Sequence, residues 1–251
     1  MTARPQDLSE LSSPDQNAAG LIQGSVDALR YDVHILDADE VSGIVASFIP
    51  NGSKVLDVGC GTGLLGQMLS EHCHAEIIGI EPDPVRAELA TARGVKVHVG
   101  YFSRTLIQKL GSFDIILFAD VLEHLPNPQS VLILSREALK AGGAVIVSVP
   151  NVAHWAVRIE VIRGKFRYQP CGIMDATHLR WFTAESAKLL LASAGFRIAQ
   201  YRATAGSDVP ENGRLPLRWI PANARTRFLR MASRHWPNLF GAQHVLKAQM
   251  V

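Results

Sequence analysis

The first feature of the sequence that could do chemistry is a glycine-rich turn. Residues 55–66 read VLDVGCGTGLLG, so a short apolar run leads directly into closely spaced glycines. Glycine lets the backbone take unusual conformations and approach a ligand closely. Two ligand-binding motifs fit the same letters: G-x-G-x-x-G begins at Gly61, and D-x-G-x-G-x-G begins at Asp57. The first of them is a weak signal when it stands alone.

Two carboxylates favour the second motif. Asp57 stands two residues before the first glycine, where a carboxylate can meet a ligand ammonium group directly or through water. Glu81 follows 24 residues later, at the end of the next predicted strand. A carboxylate there can accept hydrogen bonds from both hydroxyls of a ribose, a contact that also occurs in NAD-binding proteins. The two carboxylates together predict a ligand that contains a nucleoside.

Strands and helices alternate along the part of the chain that must position these residues. Because parallel strands require crossover connections, this alternation predicts βαβ units and a parallel sheet. Continuous apolar runs suit strands that are buried on both faces. The predicted strands are Lys54–Val58, Ile77–Ile80, Val95–Val99, Phe113–Phe118 and Ala144–Val149, with helices at 64–72, 84–92, 103–110 and 128–140.

The alternation is interrupted twice after the fifth predicted strand. Residues 151–180 are rich in aromatic, basic and histidine residues, and residues 205–242 contain several prolines; neither segment has a clear period. Between them, a helix at Ala184–Ala194 and a strand at Phe196–Thr204 are predicted. A last strand is predicted at His244–Met250.

Three strings in this order, VLDVGCGTG, GIEPDP and FDIILFADVLEHLPNP, resemble the class I S-adenosylmethionine-dependent methyltransferases. The resemblance covers about residues 50–204 and a final strand. It implies an α/β fold with a Rossmann-like seven-stranded sheet and helices on both faces. In such a sheet the last strand runs antiparallel and forms a hairpin with the sixth. The implied methyl donor is S-adenosylmethionine, and the product is S-adenosylhomocysteine.

Further strings narrow the resemblance. SVPNVAHWAVRIEVIRGKF, DATHLRWFT and WPNLFGAQHVLKA look like methyltransferases that accompany glycosyltransferases in bacterial polysaccharide and glycan clusters. They are similar, more distantly, to the MetW-like and UbiG-like groups. The implied organisation has four parts: an N-terminal tail and helical cap at 1–50 with helices at 17–30 and 38–49, a donor-binding core at 51–150, an acceptor-binding lid at 151–182, and completion of the sheet at 183–251 with a basic insertion at about 205–242.

The resemblance implies a set of donor-binding residues, with one departure from the family. Many members carry an acidic residue after the third strand, where it meets the adenine amino group, but this chain has Gly100 followed by two aromatic residues. A backbone group or an aromatic edge could replace that contact, or the aromatic residues could belong to the core. The expected donor-binding residues are Asp57, Gly59, Cys60, Gly61, Gly63, Glu81, Pro82, Tyr101, Phe102, Ala119 and Asp120.

Methyl transfer to a hydroxyl requires alignment of the reacting atoms and a base that removes the proton. Three histidines are candidate bases: His124, His154 and His178. Each could instead pack a helix or hold the lid by hydrogen bonds. No cluster of carboxylates and histidines is evident around Asp120, so no metal is expected. Candidate acceptor-binding residues, which could alternatively form a small core within the lid, are Trp155, Arg158, Tyr168, Asp175, Arg180 and Trp181.

The distribution of charge bears on partners. The 251 residues carry a net charge of only +2, with 47% hydrophobic and 19% charged residues, which excludes intrinsic disorder. However, residues 1–50 hold eight acidic and two basic residues, whereas residues 202–251 hold eight basic and two acidic ones. The two regions could be complementary surfaces or a subunit contact in a homodimer. Alternatively, the basic region could meet an anionic membrane or a lipid-linked substrate.

Other features set the expected class of protein. The polar N-terminus lacks the apolar segment of a secretory signal, and three scattered cysteines fit neither a disulfide framework nor a metal knuckle. We therefore expect a cytoplasmic enzyme that does not bind nucleic acid. The favoured hypothesis is O-methylation of a sugar or glycan hydroxyl. The alternatives are O-methylation of a small-molecule carboxylate or phenol, and a non-catalytic module that binds the donor and serves a partner.

Overall fold

The computed structural model describes residues 36–207, 209–213 and 217–251. The helix predicted at 17–30 lies outside the described residues. Seven strands are present in the described part of the chain: β1 Lys54–Val58, β2 Glu76–Glu81, β3 Lys96–Val99, β4 Phe113–Ala119, β5 Leu139–Pro150, β6 Phe196–Ala203 and β7 Gln243–Met250.

All seven strands belong to one sheet with the order β3-β2-β1-β4-β5-β7-β6. The five strands from β1 to β5 pair in parallel, whereas β7 pairs antiparallel with both β5 and β6. This is the predicted seven-stranded α/β sheet with an antiparallel last strand, and that prediction is confirmed. The chain order reverses between β1 and β4, and ligands of such sheets bind at the carboxyl ends of the strands near this point.

The helices of the described residues surround the sheet. They are α1 Val41–Phe48, α2 Leu64–Cys73, α3 Pro84–Ala92, α4 Arg104–Leu110, α5 Pro128–Ser135, α6 Trp155–Ile162, α7 Ala184–Ser193, α8 Ala222–His235 and α9 Pro237–Phe240. Short 3₁₀ helices lie at Leu122–His124, Arg136–Ala138, Pro210–Gly213 and Leu217–Trp219.

The strands are buried on both faces because successive side chains alternate between two cores. Leu56, Phe118 and Val147 belong to one cluster of buried apolar residues. Their neighbours in sequence, Leu117 and Ile146, belong to the cluster on the opposite face. This two-sided burial explains why the strands read as continuous apolar runs instead of alternating patterns.

One predicted helix is shorter than expected, and two observed helices were not predicted. The helix predicted at 128–140 ends at Ser135, because β5 begins at Leu139 after a single 3₁₀ turn. Residues 151–180 contain α6, and the basic insertion contains the 14-residue helix α8. Neither helix was expected.

Helix α8 was missed because little of its surface is apolar. Its fully buried residues are Leu229, Ala232 and Ser233, and arginines occupy much of the remaining surface. Leu229 packs with Trp155 of α6 and Leu217 in a separate small cluster. Tertiary contacts of this kind, together with ion pairs, supply most of the stability of a helix whose own apolar stripe is narrow.

Ion pairs join the beginning of the described chain to the basic region. Asp39 is 6% exposed, and its Oδ1 atom lies 2.7 Å from Arg234 Nη2 and 3.3 Å from Arg202 Nη2. Arg230 of α8 pairs with Asp37. In the described residues, the acidic and basic regions are therefore complementary surfaces of one molecule.

No helix of the described residues is long and apolar enough to cross a lipid bilayer.

The pairing around Asp39 predicts a stability effect. Asp39→Asn keeps the size of the side chain but removes the charge that faces Arg202, Arg230 and Arg234. We expect the free energy of unfolding in urea to fall by about 1–2 kcal/mol, because these bonds are charge-assisted and partly buried.

The matched control is Glu137→Gln, which breaks an ion pair with Arg104 whose partners are both exposed. Exposed pairs contribute little to stability, so this variant should unfold at nearly the wild-type urea concentration. Equal effects of the two substitutions would contradict the assigned role of Asp39.

Candidate active site

The glycine-rich turn lies between β1 and α2, at the carboxyl end of the central strands. Gly61 and Gly63 have φ angles of 56° and 77°, which L-residues rarely adopt. A methyl group added to Gly63 would lie 2.6 Å from Ala90 Cβ, so close packing requires glycine there. At Gly61 an added methyl group would meet no atom within 4 Å. Gly61 thus borders open space, whereas Gly63 is packed against α3.

Two buried carboxylates flank this turn. Glu81 is 4% exposed, and it accepts hydrogen bonds from the N–H groups of Gly61 at 2.8 Å and Asp83 at 3.0 Å. Asp57 is 2% exposed, and its Oδ2 atom has no hydrogen-bond partner among the described residues. Burial, and secondarily the charge of Glu81, raises the pKa of Asp57 to about 7. This arrangement fits a cationic group placed beside Asp57.

Some of the other expected donor-binding residues of this region are exposed to solvent, and others pack against protein. Pro82 and Tyr101 are exposed, Tyr101 by 80%. The Cys60 thiol packs against the backbone of Gly79, and burial raises its pKa. Phe102 contacts Phe118 edge to face, with ring centroids 6.0 Å apart. Phe102 is partly buried and packs against the core, and its predicted contact with adenine stays a prediction.

Asp120 follows Ala119 at the carboxyl end of β4, and the surrounding strands hold it in place. Its φ angle is 53°, an uncommon conformation for a residue other than glycine. Ser148 Oγ donates to Oδ1 at 2.8 Å, and Gln243 Nε2 lies 2.8 Å from both carboxylate oxygens. Gln243 begins β7. It was not a candidate from the sequence, because its position beside Asp120 depends on the antiparallel pairing of β7 with β5.

His124 and His178 lie together near the same end of β4. Their ring centroids are 4.9 Å apart. His124 Nδ1 lies 3.2 Å from the carbonyl oxygen of Thr177, and His178 Nδ1 lies 3.1 Å from that of Ile173. Burial lowers the pKa of His178, and the neighbouring His124 adds to this effect. The structure thus brings together two of the three candidate bases.

Glu123 completes this group, although the sequence did not single it out. One ligand atom from each of Glu123, His124 and His178 lies within 4.8 Å of the other two. Burial raises the pKa of Glu123 well above its usual value, and the charge of Asp120 adds to the effect. The available signal was its position beside His124 after a strand. The contribution of His178 could not be deduced, since it comes from a segment 54 residues later.

His154, the third candidate base, immediately precedes α6 and is fully buried. Its ring centroid lies 5.7 Å from that of Trp155. The Trp155 ring is 8% exposed, and its Nε1 donates to Asn212 Oδ1 at 3.2 Å. Both side chains are enclosed by protein. We therefore assign them to packing, against the prediction of a base and of an acceptor-stacking ring.

The remaining predicted acceptor residues lie in the segment 151–182, whose ends are joined by a β-bridge between Asn151 and Phe182. Tyr168 and Trp181 form an aromatic group with Phe166, with ring centroids 5.5–6.1 Å apart. About half of the Tyr168 and Phe166 surface is exposed. These rings offer open aromatic faces.

The polar members of the same segment form hydrogen bonds with groups of the segment itself or of the chain that follows β4. Arg158 Nε donates to the carbonyl oxygen of Ala153, and Arg180 Nη2 donates to that of Pro126. Asp175 is fully buried and accepts hydrogen bonds from the N–H and hydroxyl groups of Thr177. In the structure these three side chains shape the segment, and their predicted contacts with an acceptor stay predictions.

The family model described as a methyltransferase domain matches residues 36–201, about two thirds of the chain. The chain belongs to this family. The family is that of the class I S-adenosylmethionine-dependent methyltransferases, as the sequence motifs predicted. The methyltransferase sheet thus carries the glycine turn and both carboxylates at the strand ends where the family resemblance placed the donor.

Curated relatives of this methyltransferase include ubiquinone biosynthesis O-methyltransferases. The protein of Nitrosococcus oceani is 36% identical over 134 residues, which are 49% of this chain and 56% of that protein. The protein of Xanthomonas axonopodis pv. citri is 27% identical over 146 residues, 56% of this chain and 61% of that protein. The matches thus span less than two thirds of these relatives.

Solved structures share the fold of this methyltransferase. A possible histamine N-methyltransferase from Thermotoga maritima has a TM-score of 0.55 at 20% identity, over 84% of this chain and 87% of that one. A methyltransferase from Archaeoglobus fulgidus has a TM-score of 0.54 at 18% identity, over 82% and 93% of the two chains. At these identities the similarity establishes the fold.

The raised pKa of Asp57 predicts a pH effect on stability in the absence of ligand. The folded protein holds this proton more tightly than the unfolded chain, so stability should fall as pH rises from about 4 to about 7. Asp57→Asn cannot ionise and escapes this loss. Between pH 5 and 8, urea unfolding should show the variant gaining stability relative to wild type.

Asp114→Asn is the matched control, because its hydrogen bond with Lys140 lowers the pKa of the Asp114 carboxyl. The difference in the free energy of unfolding between Asp114→Asn and the wild-type protein should be constant over the same pH range. If the difference in the free energy of unfolding between Asp57→Asn and wild type were also constant with pH, the raised pKa of Asp57 would be contradicted.

Proposed function

We propose that the protein transfers a methyl group from S-adenosylmethionine to a hydroxyl group of a small phenolic acceptor. The observation that carries the proposal is the placement of two kinds of groups at one edge of the sheet. Asp57 and Glu81 lie at the ends of β1 and β2, and the pair His124 and His178 lies beyond β4. Since β1 lies between β2 and β4, donor and acceptor would meet at the carboxyl ends of the central strands.

The residues of the turn fit the donor. Asp57 Oδ2 is buried without a partner among the described residues, which suits the donor ammonium group. Glu81 would accept the ribose hydroxyls, and the open space at Gly61 allows close approach of the ligand. The adenine contact is left to the backbone near Gly100 or to the exposed Tyr101.

The histidine pair supplies groups that can take the acceptor proton. When bound, S-adenosylmethionine supplies an electrophilic methyl group on a sulfonium centre. In His124 and His178, Nδ1 faces a carbonyl oxygen and therefore carries the ring hydrogen. The lone pair then resides on Nε2, which can accept a proton from an aligned hydroxyl.

The comparison with known proteins favours a phenol over a sugar as the acceptor, and exposed aromatic side chains are compatible with it. The curated relatives are named as O-methyltransferases of ubiquinone biosynthesis. The exposed faces of Phe166 and Tyr168, which contact Trp181, can stack on a planar ring. A sugar hydroxyl is the second candidate, because the same aromatic faces can also stack on a sugar ring.

The donor assignment predicts selective loss of binding in Gly61→Ala. Its added methyl group would enter the space assigned to the donor. We expect the affinity for S-adenosylhomocysteine, measured by calorimetric titration, to fall at least about tenfold, or about 1.4 kcal/mol.

Gly94→Ala is the matched control, because Gly94 also has a positive φ angle, 84°, and open space around its Cβ position. Both variants carry similar backbone strain, but only Gly61→Ala should lose affinity. Unchanged affinity in Gly61→Ala would remove the turn from the donor site.

The acceptor assignment predicts which compounds are methylated. Formation of S-adenosylhomocysteine should be observed with hydroxyphenols and catechols, and not with nucleotide sugars. Turnover of nucleotide sugars alone would support the second candidate. Donor binding with no turnover of either panel would instead support a non-catalytic module that binds the donor.

A further inference from the structure

Glu123 is a buried carboxylate that the rest of the described chain does not neutralise. It is 1% exposed, and neither carboxylate oxygen accepts a hydrogen bond from another described residue. Asp120 and Asp175 lie close enough for their charges to act on it unfavourably. A buried carboxylate without a partner is costly while it is ionised, so Glu123 holds a proton unless a cation binds beside it and takes the place of that proton.

The two neighbouring imidazoles present nitrogen atoms suited to hold a cation. Nδ1 of each ring lies close to a backbone carbonyl oxygen, at 3.2 Å in His124 and 3.1 Å in His178, and Nδ1 of His124 also lies 3.3 Å from the Thr177 hydroxyl. A carbonyl oxygen can only accept, so the ring hydrogen is assigned to Nδ1, and Nε2 then keeps its lone pair. Metal-binding histidines commonly have such an outer hydrogen bond, which fixes the tautomer and the ring orientation. The backbone carbonyl of Glu123 also accepts from the N–H groups of Leu179 and Arg180, at 2.8 and 3.0 Å. The two contributing segments are therefore already tied together.

We propose that Glu123, His124 and His178 bind a divalent transition-metal cation such as Zn²⁺ or Mn²⁺. Two imidazole nitrogens and one carboxylate form a set that suits these ions better than Mg²⁺, which prefers oxygen ligands. The ligand atoms lie within 4.8 Å of one another. Bonds of about 2.1 Å require a separation of about 3.4 Å, so modest side-chain rotation is enough to complete the site.

The site deepens the proposed function and rests on it for its role. With three protein ligands, the cation keeps a position open for the acceptor hydroxyl oxygen. Binding there lowers the pKa of the hydroxyl, its O–H bond breaks and the proton passes to solvent. The oxygen electron pair then forms the bond to the methyl carbon, the carbon–sulfur bond breaks, and its electrons stay on sulfur in S-adenosylhomocysteine. With the cation bound, the two Nε2 atoms act as ligands, and the lowered pKa of the hydroxyl replaces the base role that the histidine pair has in the protein without the cation.

Metal binding can be tested without acceptor or turnover. Protein stripped with a chelator is titrated with Zn²⁺ in a calorimeter, and with Co²⁺ in a visible-absorption experiment. We expect one ion per chain, visible bands typical of cobalt with nitrogen ligands, and a much weaker response to Mg²⁺. Glu123→Gln and His178→Ala should each weaken Zn²⁺ binding at least about tenfold, and His235→Ala, which changes an exposed histidine, should not.

Donor binding distinguishes failure of the metal site from failure of the proposed function. Glu123→Gln and His178→Ala should bind S-adenosylhomocysteine as wild type does, which also shows that they are folded. Absence of stoichiometric Zn²⁺ binding by the wild-type protein, or equal binding by wild type and Glu123→Gln, would overturn the metal site. Either result would make Glu123 a neutral buried carboxylic acid, with no metal, as the sequence suggested.

Discussion

Two carboxylates lie buried beside each other at the carboxyl ends of β1 and β2, and the rest of the donor side is organised around them. The sheet order makes β1 central, so the turn that follows it is surrounded by protein. Glu81 accepts hydrogen bonds from Gly61 and Asp83, and thereby fixes the turn. Asp57 has an oxygen without a partner in the described chain, and its proton is held unusually tightly. This arrangement fits the binding of a positively charged group beside Asp57.

The candidate acceptor site depends on contacts between distant parts of the chain. Glu123 and His124 follow β4, whereas His178 comes from the segment 151–182. That segment packs through Trp155 on the basic insertion, and α8 of the insertion is paired with Asp37 and Asp39. The ion pairs between the two ends of the described chain therefore help to stabilise the position of the segment 151–182, which contributes His178. Their use within one molecule reduces the charge left for an anionic partner.

The placement of the candidate donor-binding residues at neighbouring strand ends could be predicted from the sequence, because the signals are local. The glycine spacing, Asp57 and Glu81 lie on consecutive strand ends, and parallel pairing brings such ends together wherever the alternation of strands and helices is clear. The choice between the core and the donor could not be made for Phe102 from the sequence, because its contact with Phe118 depends on how the segment after β3 packs. Periodicity of the sequence contains no information about that packing.

The acceptor side could be predicted only in part. Sequence spacing does not place His178 beside His124, and Gln243 reaches Asp120 only through antiparallel pairing at the far end of the chain. Helix α8 was missed for a related reason, since it is stabilised by ion pairs and by a small cluster of contacts from other segments. Each of these features depends on long-range contacts.

The most direct test of the central claim is the number of protons released when S-adenosylhomocysteine binds. Calorimetric titrations at about pH 6.5, in buffers of different ionisation enthalpy, measure this number. If an ammonium group binds beside Asp57, whose pKa is about 7, the carboxyl must ionise and more than half a proton should be released. Asp57→Asn should release none. A binding enthalpy that does not depend on the buffer in the wild-type protein would contradict the account.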